Sequence, residues 1–474
     1  MIKTIMNKVS NSTLIKSGLW YTIGNFFLQG ISFITIPIFT RLLDTNNYGV
    51  VNLYTTWQST FMYIISLGLA SSVTKAKHDF QEDYDGYLSS VLFLSTISLS
   101  VAVILGYIFR NGLAYGTQLP VNLIMILIFQ SFFAYVVDYV STKYTIEYQY
   151  KKYLFISISS TILNVILSII LILSLTNNKY IGRIGGGFIV TSAYGIVLFA
   201  LVIIKGKKLI NIKYWKYALA LSLPLIPHSV SGLILAQFDR ILIKKYIGFG
   251  ATGIYSFAYN IGMIVSLVWA STNKAWVPWF FEQMDKNNIS EIKQKMKYYI
   301  VLFSIISSLL IFVSPELVML MSSKGFWEGL KLIPIIMISY FFVFLYSLPV
   351  NYEFYLKKTY LISIGTFLSG FLNILLNLIL IPKYGYVAGA YTTLISYIIL
   401  FIYHYVIAQI LSKGTLFETR YFILSIAYIS LVALLFYTFK SFWIIRYIII
   451  MLSFLSAIYV IKNKISLGFF KSRH

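Results

Sequence analysis

Apolar residues fall along this chain in blocks of about 20, divided by short polar stretches rich in lysine, and a helix of that length crosses a bilayer core at roughly 1.5 Å per residue. Counting the blocks predicts about fourteen spans, centred near residues 29, 61, 98, 130, 164, 194, 231, 262, 309, 340, 371, 398, 430 and 450. Only a tight junction around Lys440 divides the last two. The expected fold is therefore an all-α polytopic membrane protein.

The first block begins at Ser17 and carries no charge before Arg41, yet it is not uniformly apolar. Thr22, Asn25, Gln29 and Ser32 follow steps of three and four and so share one helical face. Polar side chains against lipid tails are costly, so this stripe is expected to face other helices or a water-filled cavity. Pro37 removes a backbone donor and can bend the helix just before Arg41 ends it. A polar turn, Asp44-Thr45-Asn46-Asn47, then leads into a second helix at Tyr48-Gly49.

These residues carry a resemblance. Trp20 to Asn25 (WYTIGN), Ser32 to Leu43 (SFITIPIFTRLL) and the Tyr48-Gly49 pair resemble the amino-terminal signature of the Wzx-type polysaccharide-repeat flippases. That family belongs to a superfamily that also holds multidrug extruders and peptidoglycan-precursor flippases. One departure is visible: the family commonly has an acid just before the Tyr-Gly pair, and Asn46 and Asn47 stand there in this chain.

Composition agrees with the membrane reading. Of 474 residues, 58% are hydrophobic and only 11% charged, which excludes an ordinary soluble globular protein. With no cysteine, neither a disulfide framework nor a Cys-based metal site is available. A net charge of +23 raises a nucleic-acid role, but the 38 basic residues lie mostly in loops between spans and, when the loops are assigned to alternate sides, most fall on one side. The positive-inside rule explains them and places both termini in the cytoplasm. Lys3, Lys8 and Lys16 precede the first span with no cleavage pattern after it, so this helix is expected to be retained. The longest loop is expected from Lys274 to Lys297, with a short helix along the membrane surface.

An internal repeat is also visible. Glu147-Tyr-Gln-Tyr-Lys151-Lys152 recurs as Glu353-Phe-Tyr-Leu-Lys357-Lys358; Asn164, Lys179-Tyr180 and the glycines at 185 to 187 answer Asn373, Lys383-Tyr384, Gly385 and Gly389. The predicted organisation is two pseudo-symmetric six-helix bundles, 1–210 and 211–412, and two additional C-terminal helices in 413–474. Parallel duplicated bundles put a working cavity at their interface and suit alternating access.

Within the spans, a few residues bear on transport. Arg41 and Arg240 end equivalent helices; a guanidinium holds phosphate oxygens through paired hydrogen bonds, so the two suit a diphosphate clamp, the alternative being interfacial arginines that reach to headgroups. Asn25, Gln29, Lys244 and Lys274 are further candidates for substrate contact. For ion coupling the candidates are Asp138 near the inner end of the fourth span, and His228 and Asp239 on one face of the seventh, whose inner end Pro224 and Pro227 break. Asp239 is otherwise the partner of Arg240, and His228 a hydrogen-bonded interior residue. Asn373, Asn377, Thr392 and Thr393 resemble, together with Asp239, the cation site of the peptidoglycan-precursor flippases, with interhelical hydrogen bonding as the alternative. Glu147 and Glu353, each ahead of a Lys-Lys pair, are expected to form loop ion pairs.

The resemblance implies a flippase, not an enzyme. Its substrate would be a polyprenyl-diphosphate-linked oligosaccharide, moved from the cytoplasmic to the outer leaflet of a bacterial inner membrane. Na⁺ or H⁺ is the implied coupling ion, with no other cofactor. The implied partners are the lipid-linked oligosaccharide, membrane lipids and polysaccharide polymerase machinery, with no nucleic acid. Two rivals stand beside this reading. A cation-coupled multidrug extruder would favour acids over arginines in its cavity. A membrane-embedded polymerase would show a large loop or a clustered acidic motif, and the sequence has neither.

Overall fold

The computed structural model describes residues 13–453 and 455, with side chains except at 13–16, 19, 227, 228, 231, 232 and 234–236. All regular elements among the described residues are helices, as the hydropathy pattern predicts. Among the described residues, eleven helical segments are long and apolar enough to cross a membrane. The expected fourteen exceed these at three places. The spans near 61 and 231 do form helices of 21 residues, Thr45–Ile65 and Ile226–Tyr246. Their composition, with Asn52, Thr55, Thr56 and Gln58 in one and Gln237, Asp239 and Arg240 in the other, is simply more polar than that of the rest. Near 450, a shorter apolar helix is described at Trp443–Ser453.

Two compact units divide the chain, Met1–Gly253 and Ile254–His474. The first holds α1 (Thr13–Leu42), α2 (Thr45–Ile65), α3 (Val73–Asp79), α4 (Tyr84–Ile108), α5 (Arg110–Thr117), α6 (Asn122–Ile146), α7 (Tyr150–Leu173), α8 (Tyr180–Gly206), α9 (Ile212–Ser222) and α10 (Ile226–Tyr246). Thus α10, the seventh span, groups with this unit and packs on α2. It is separated from α9 by a single 3₁₀ turn, Leu223–Leu225, which contains Pro224.

Local chemistry sets these boundaries. Asp44 caps α2: its Oδ1 accepts from the Asn47 backbone N–H at 2.7 Å and from Asn47 Nδ2 at 3.0 Å. The Asn47 Oδ1 in turn accepts from the Tyr180 N–H at the start of α8, at 2.9 Å. An amide can donate to Asp44 and accept from Tyr180 at once, and a carboxylate in its place could only accept. The asparagine that departs from the family pattern thus ties two helix N-termini together.

The core of this unit is rich in buried tyrosine. Tyr54 donates to Gln130 Oε1 at 2.7 Å, Tyr87 to Ser72 Oγ at 2.7 Å and Tyr139 to the Leu88 carbonyl at 3.2 Å. Each satisfies a hydroxyl that would otherwise be stranded in the interior. Basic residues gather at one end, where Asp85 meets Lys143 at 2.7 Å and Lys205 at 3.0 Å, and Asp83 meets Lys208 at 2.6 Å. Tyr214 on α9 also donates to Asp83, and burial first, then this bond, pushes its phenol up to about 12.

The second unit follows from the end of α11 (Phe249–Gly262) with α12 (Ile264–Asp285), α13 (Ile289–Met321), α14 (Ile333–Tyr355), α15 (Thr359–Tyr384), α16 (Tyr386–Leu411) and α17 (Thr419–Phe439). Its centre is α14, 83% buried over its most apolar window against 11% for α1. Stacked rings fill the space around it, with Phe303 and Phe344 4.0 Å apart between centroids. The long loop expected from Lys274 to Lys297 is not present. Both α12 and α13 run on through these polar residues, as helices do once they leave the hydrocarbon, and only the turn at Lys286–Asn288 divides them.

Candidate substrate cavity and ion sites

A cavity of about 430 Å³ opens in the first unit between the end of α2, the turn after it, α6, and the α9–α10 junction. Its shape begins with a backbone reversal. Leu67 and Gly68 both take positive φ, 51° and 64°, which ends α2 and reverses the chain direction. On α6, Tyr135, Asp138 and Thr142 follow steps of three and four and present one face to the space. Ser66, Ser71, Thr74 and Ser229 add hydroxyl side chains among apolar ones such as Met62, Leu225 and Ile226. The Asp138 side chain is exposed, so its carboxylate can meet a ligand or water without prior unpacking. Hydroxyls with a carboxylate suit the many donors and acceptors of a sugar, and the carboxylate also suits a cation.

The other sequence candidates lie in varied surroundings. Arg41 is exposed at the end of α1 and its Nη1 donates to the Pro37 carbonyl at 3.0 Å. Arg240 is buried at 8% exposure beside Asp239 at 2%, whose Oδ1 accepts from the Arg240 backbone N–H at 2.9 Å. Both arginines fall in the first unit. Asn25 accepts from the Tyr153 hydroxyl on α7 at 2.9 Å, while Gln29 is exposed. Thr22 and Ser32 return their hydroxyls to their own helix, so the stripe on α1 is partly satisfied locally. Lys244 lies 4.3 Å over the Phe249 ring and Lys274 is exposed. The side chain of His228 lies outside the described residues.

In the second unit, Asn373, Asn377, Thr392 and Thr393 come together between α15 and α16, all fully buried. Asn377 Nδ2 donates to Asn373 Oδ1 at 2.9 Å, Asn373 Nδ2 to Thr393 Oγ1 at 3.4 Å, and Thr392 to Asn377 Oδ1. These oxygens satisfy one another as an interhelical network. The same four oxygens are the donor type a hard cation takes.

Two constellations were not singled out from the sequence. Arg183 on α8 donates to Asn164 Oδ1 at 2.6 Å and Ser168 Oγ at 3.0 Å on α7, with its guanidinium 4.4 Å from the Phe39 ring centroid. The adjoining glycines allow this approach: a Cβ on Gly186 would stand 2.6 Å from the Ser168 nitrogen. The second is Glu353, and here the expectation of a loop ion pair fails. Glu353 and His404 are both 0% exposed, and His404 Nδ1 lies 2.8 Å from Glu353 Oε1. The last turn of α14 remains in the packed interior, so Glu353 pairs with α16 and not with Lys357 or Lys358. Glu147, its counterpart in the repeat, does lie near a surface lysine, 4.0 Å from Lys77.

The described residues, all helical in their regular elements, hold eleven segments long and apolar enough to cross a membrane and a cavity that contains a carboxylate, which defines a polytopic membrane protein. Residues 14–284, more than half of the chain, match the family described as polysaccharide biosynthesis protein, and the chain belongs to that family. It is similar to a protein of the Lsg locus of Haemophilus influenzae, 24% identical over 377 residues that cover 75% of this chain and 88% of that one. Among solved structures it resembles the lipid II flippase MurJ in an inward closed conformation, with TM-score 0.74 at 19% identity, covering 94% of this chain and 99% of that one. An inward-facing multidrug resistance MATE transporter of the MOP superfamily aligns with TM-score 0.63 at 13% identity, covering 82% and 96%. These two likenesses concern the fold.

Proposed function

We propose that this protein flips a polyprenyl-diphosphate-linked oligosaccharide from the cytoplasmic to the outer leaflet of a bacterial inner membrane, by alternating access and with both termini in the cytoplasm. The observation that carries this reading is the hydroxyl-lined cavity around Asp138 in a chain of the polysaccharide biosynthesis family. Sugar headgroups are strongly hydrated and need a polar passage, while the lipid tail can stay in the bilayer. Arg41 and Arg240 are the proposed contacts for the diphosphate, with Asn25, Gln29, Lys244 and Lys274 as secondary contacts. Moving negative charge outward, down an inside-negative potential, releases about 2.3 kcal/mol per charge per 100 mV. Na⁺ or H⁺ entering at Asp138 or Asp239, or Na⁺ among the oxygens of Asn373, Asn377 and Thr393, would add to that drive. No covalent chemistry is assigned to the chain, and polysaccharide polymerase machinery is its proposed downstream partner.

The test uses purified protein in liposomes, scoring how fast a short-sugar polyprenyl diphosphate placed in one leaflet becomes accessible to an impermeant sugar-modifying enzyme on the other side. Transport by wild type that is lost in the Arg41→Ala, Arg240→Ala double variant supports the substrate class and the phosphate contacts. A second reading, cation-coupled drug extrusion, is favoured by the exposed Asp138 carboxylate in the cavity. No transport across several such lipids, with uptake of a cationic dye that Asp138→Asn abolishes, would replace the first reading by the second.

A further inference from the structure

The pair formed by Glu353 and His404 lies outside the cavity, in the second unit, and neither the cavity nor the amide and hydroxyl network uses it. One contact joins them, His404 Nδ1 to Glu353 Oε1 at 2.8 Å. The two remaining polar atoms, Glu353 Oε2 and His404 Nε2, are buried with no hydrogen-bond partner among the described residues. The surroundings are aromatic. Tyr346 of α14 stacks on the imidazole with ring centres 6.0 Å apart, and Tyr403 of α16 meets it edge-on at 5.0 Å. From α15 comes Gly365, where a Cβ would stand 2.9 Å from His404 Nε2.

Of the titratable side chains on the neighbouring helices, Asp285 of α12 accepts from the Tyr355 hydroxyl and Tyr299 of α13 shares a hydrogen bond with Thr272. From α12, Asn273 bonds Asn351. From α13, Tyr299 meets Phe344, and from α17, Phe422 meets Phe401. No other ion pair reaches Glu353 or His404 among the described residues.

We infer that Glu353 and His404 form a proton-binding site of the second unit, through which a proton gradient drives the transport proposed above. With one proton between them the two groups are neutral overall, as carboxylate with imidazolium or as carboxylic acid with imidazole. A second proton taken from water leaves a carboxylic acid with an imidazolium, net charge +1; loss of the first leaves a carboxylate with a neutral imidazole, net charge −1. Either net charge is costly in these apolar surroundings without water. The pair therefore changes its proton count only in a conformation that opens it to water, and a group that exchanges protons only on opening ties proton movement to the conformational cycle. Glu353 lies on α14, His404 on α16 and Gly365 of α15 covers His404 Nε2, so this opening requires at least one of these three helices to move.

This inference rests on the flippase reading for its cargo, and the experiment separates the two. In the first arm, infrared difference spectra of purified protein in lipid are recorded between alkaline and acidic buffer. Wild type should gain a carboxylic acid carbonyl band that Glu353→Gln lacks and whose frequency His404→Asn changes by removing the imidazole partner. Identical spectra for wild type and Glu353→Gln overturn the site. In the second arm, the leaflet distribution of the lipid-linked sugar is measured at steady state with and without an imposed gradient of one pH unit. For one coupled proton the distribution should shift by up to about tenfold in wild type, and not at all in Glu353→Gln. A wild-type distribution that ignores the gradient overturns the inference even if neither variant folds. If wild type moves no such lipid at all, the cargo reading fails and the spectra alone decide the site.

Discussion

Gly49 and Gly253 lie backbone to backbone: a methyl group on Gly49 would stand 3.0 Å from the Gly253 nitrogen and 2.0 Å from the carbonyl oxygen of Phe249. The same is true in reverse, since a Cβ on Gly253 would reach the Thr45 carbonyl at 2.0 Å. The glycine of the Tyr-Gly signature is thus required by the approach of α11 to the first turn of α2. Gly49→Ala should destabilise the protein by about 1–3 kcal/mol, because the obstructing atoms are backbone and cannot rotate away. Gly30→Ala, which meets nothing within 4 Å on α1, should leave the unfolding temperature unchanged or raise it slightly. Thermal unfolding followed by intrinsic fluorescence in detergent checks both, and equal effects would refute the steric account.

Arg183 ties α8 to α7 and to Phe39 of α1. Replacing it with alanine removes two charge-assisted hydrogen bonds and a stacked ring, with an expected loss of about 1–3 kcal/mol. Arg183→Lys should restore only part of this, because a compact ammonium cannot both stack flat and reach two acceptors in a fixed fork. Thermal unfolding of the two variants against wild type provides the comparison, and full rescue by lysine would show that charge alone matters.

Arg446 fastens the helix Trp443–Ser453 to α13. Its guanidinium is 3% exposed; Nη1 donates to Glu316 Oε2 at 2.9 Å, Nη2 to Glu316 Oε1, and Nη1 also to the Phe312 carbonyl. Glu316→Gln keeps the shape and removes the charge, leaving a buried cation under-compensated, and should cost about 1–3 kcal/mol. Limited proteolysis of the C-terminal region should become faster in that variant. An unchanged cleavage rate would mean that apolar packing alone holds the helix.

Glu328 gives a pH dependence outside the spans. Its carboxylate accepts from Lys331 Nζ at 2.7 Å and from the Tyr386 hydroxyl at 2.6 Å, and these bonds hold its carboxyl below the usual glutamate range. A folded value below the unfolded value of about 4.3 contributes stability that is full above the unfolded value and is lost as pH falls through the folded one. Both members of the pair are largely exposed, so the contribution is under about 1 kcal/mol. Glu328→Gln should therefore unfold slightly below wild type at neutral pH, and the gap should close as pH drops below about 4. A gap that stays constant down to the acid limit would place the effect in packing.

The sequence exposes most of the fold because lipid-facing helices must be apolar throughout, and a run such as Tyr150–Leu173 is too long and too apolar for a strand or a surface helix. The polar helices α2 and α10 are also visible as blocks, although their Asn, Thr, Gln and Asp residues dilute the signal. The site is less legible. Asp138 stands out as a carboxylate inside a span, and it does line the cavity. The hydroxyls opposite it come from the turn after α2 and from the α9–α10 junction, which approach α6 only in three dimensions. Glu353 misleads because the two lysines that follow it mark the edge of the membrane, whereas its burial is set by α16, about fifty positions further on. Arg183 sits three residues into a glycine-rich helix start and looks like an interfacial charge until α7 is laid against it.

Glu147 and Glu353 open the same repeated stretch of sequence and end in opposite surroundings, one near a surface lysine and the other sealed against an imidazole. The likeness between the halves is therefore one of scaffold and not of chemistry. A chimaera carrying the first version of this stretch in both places would keep its helices, yet its second version would lack the neighbours that enclose an acid. A side chain that Glu147 can accept beside a surface lysine would meet a sealed, aromatic interior at Glu353, so the two positions tolerate different substitutions.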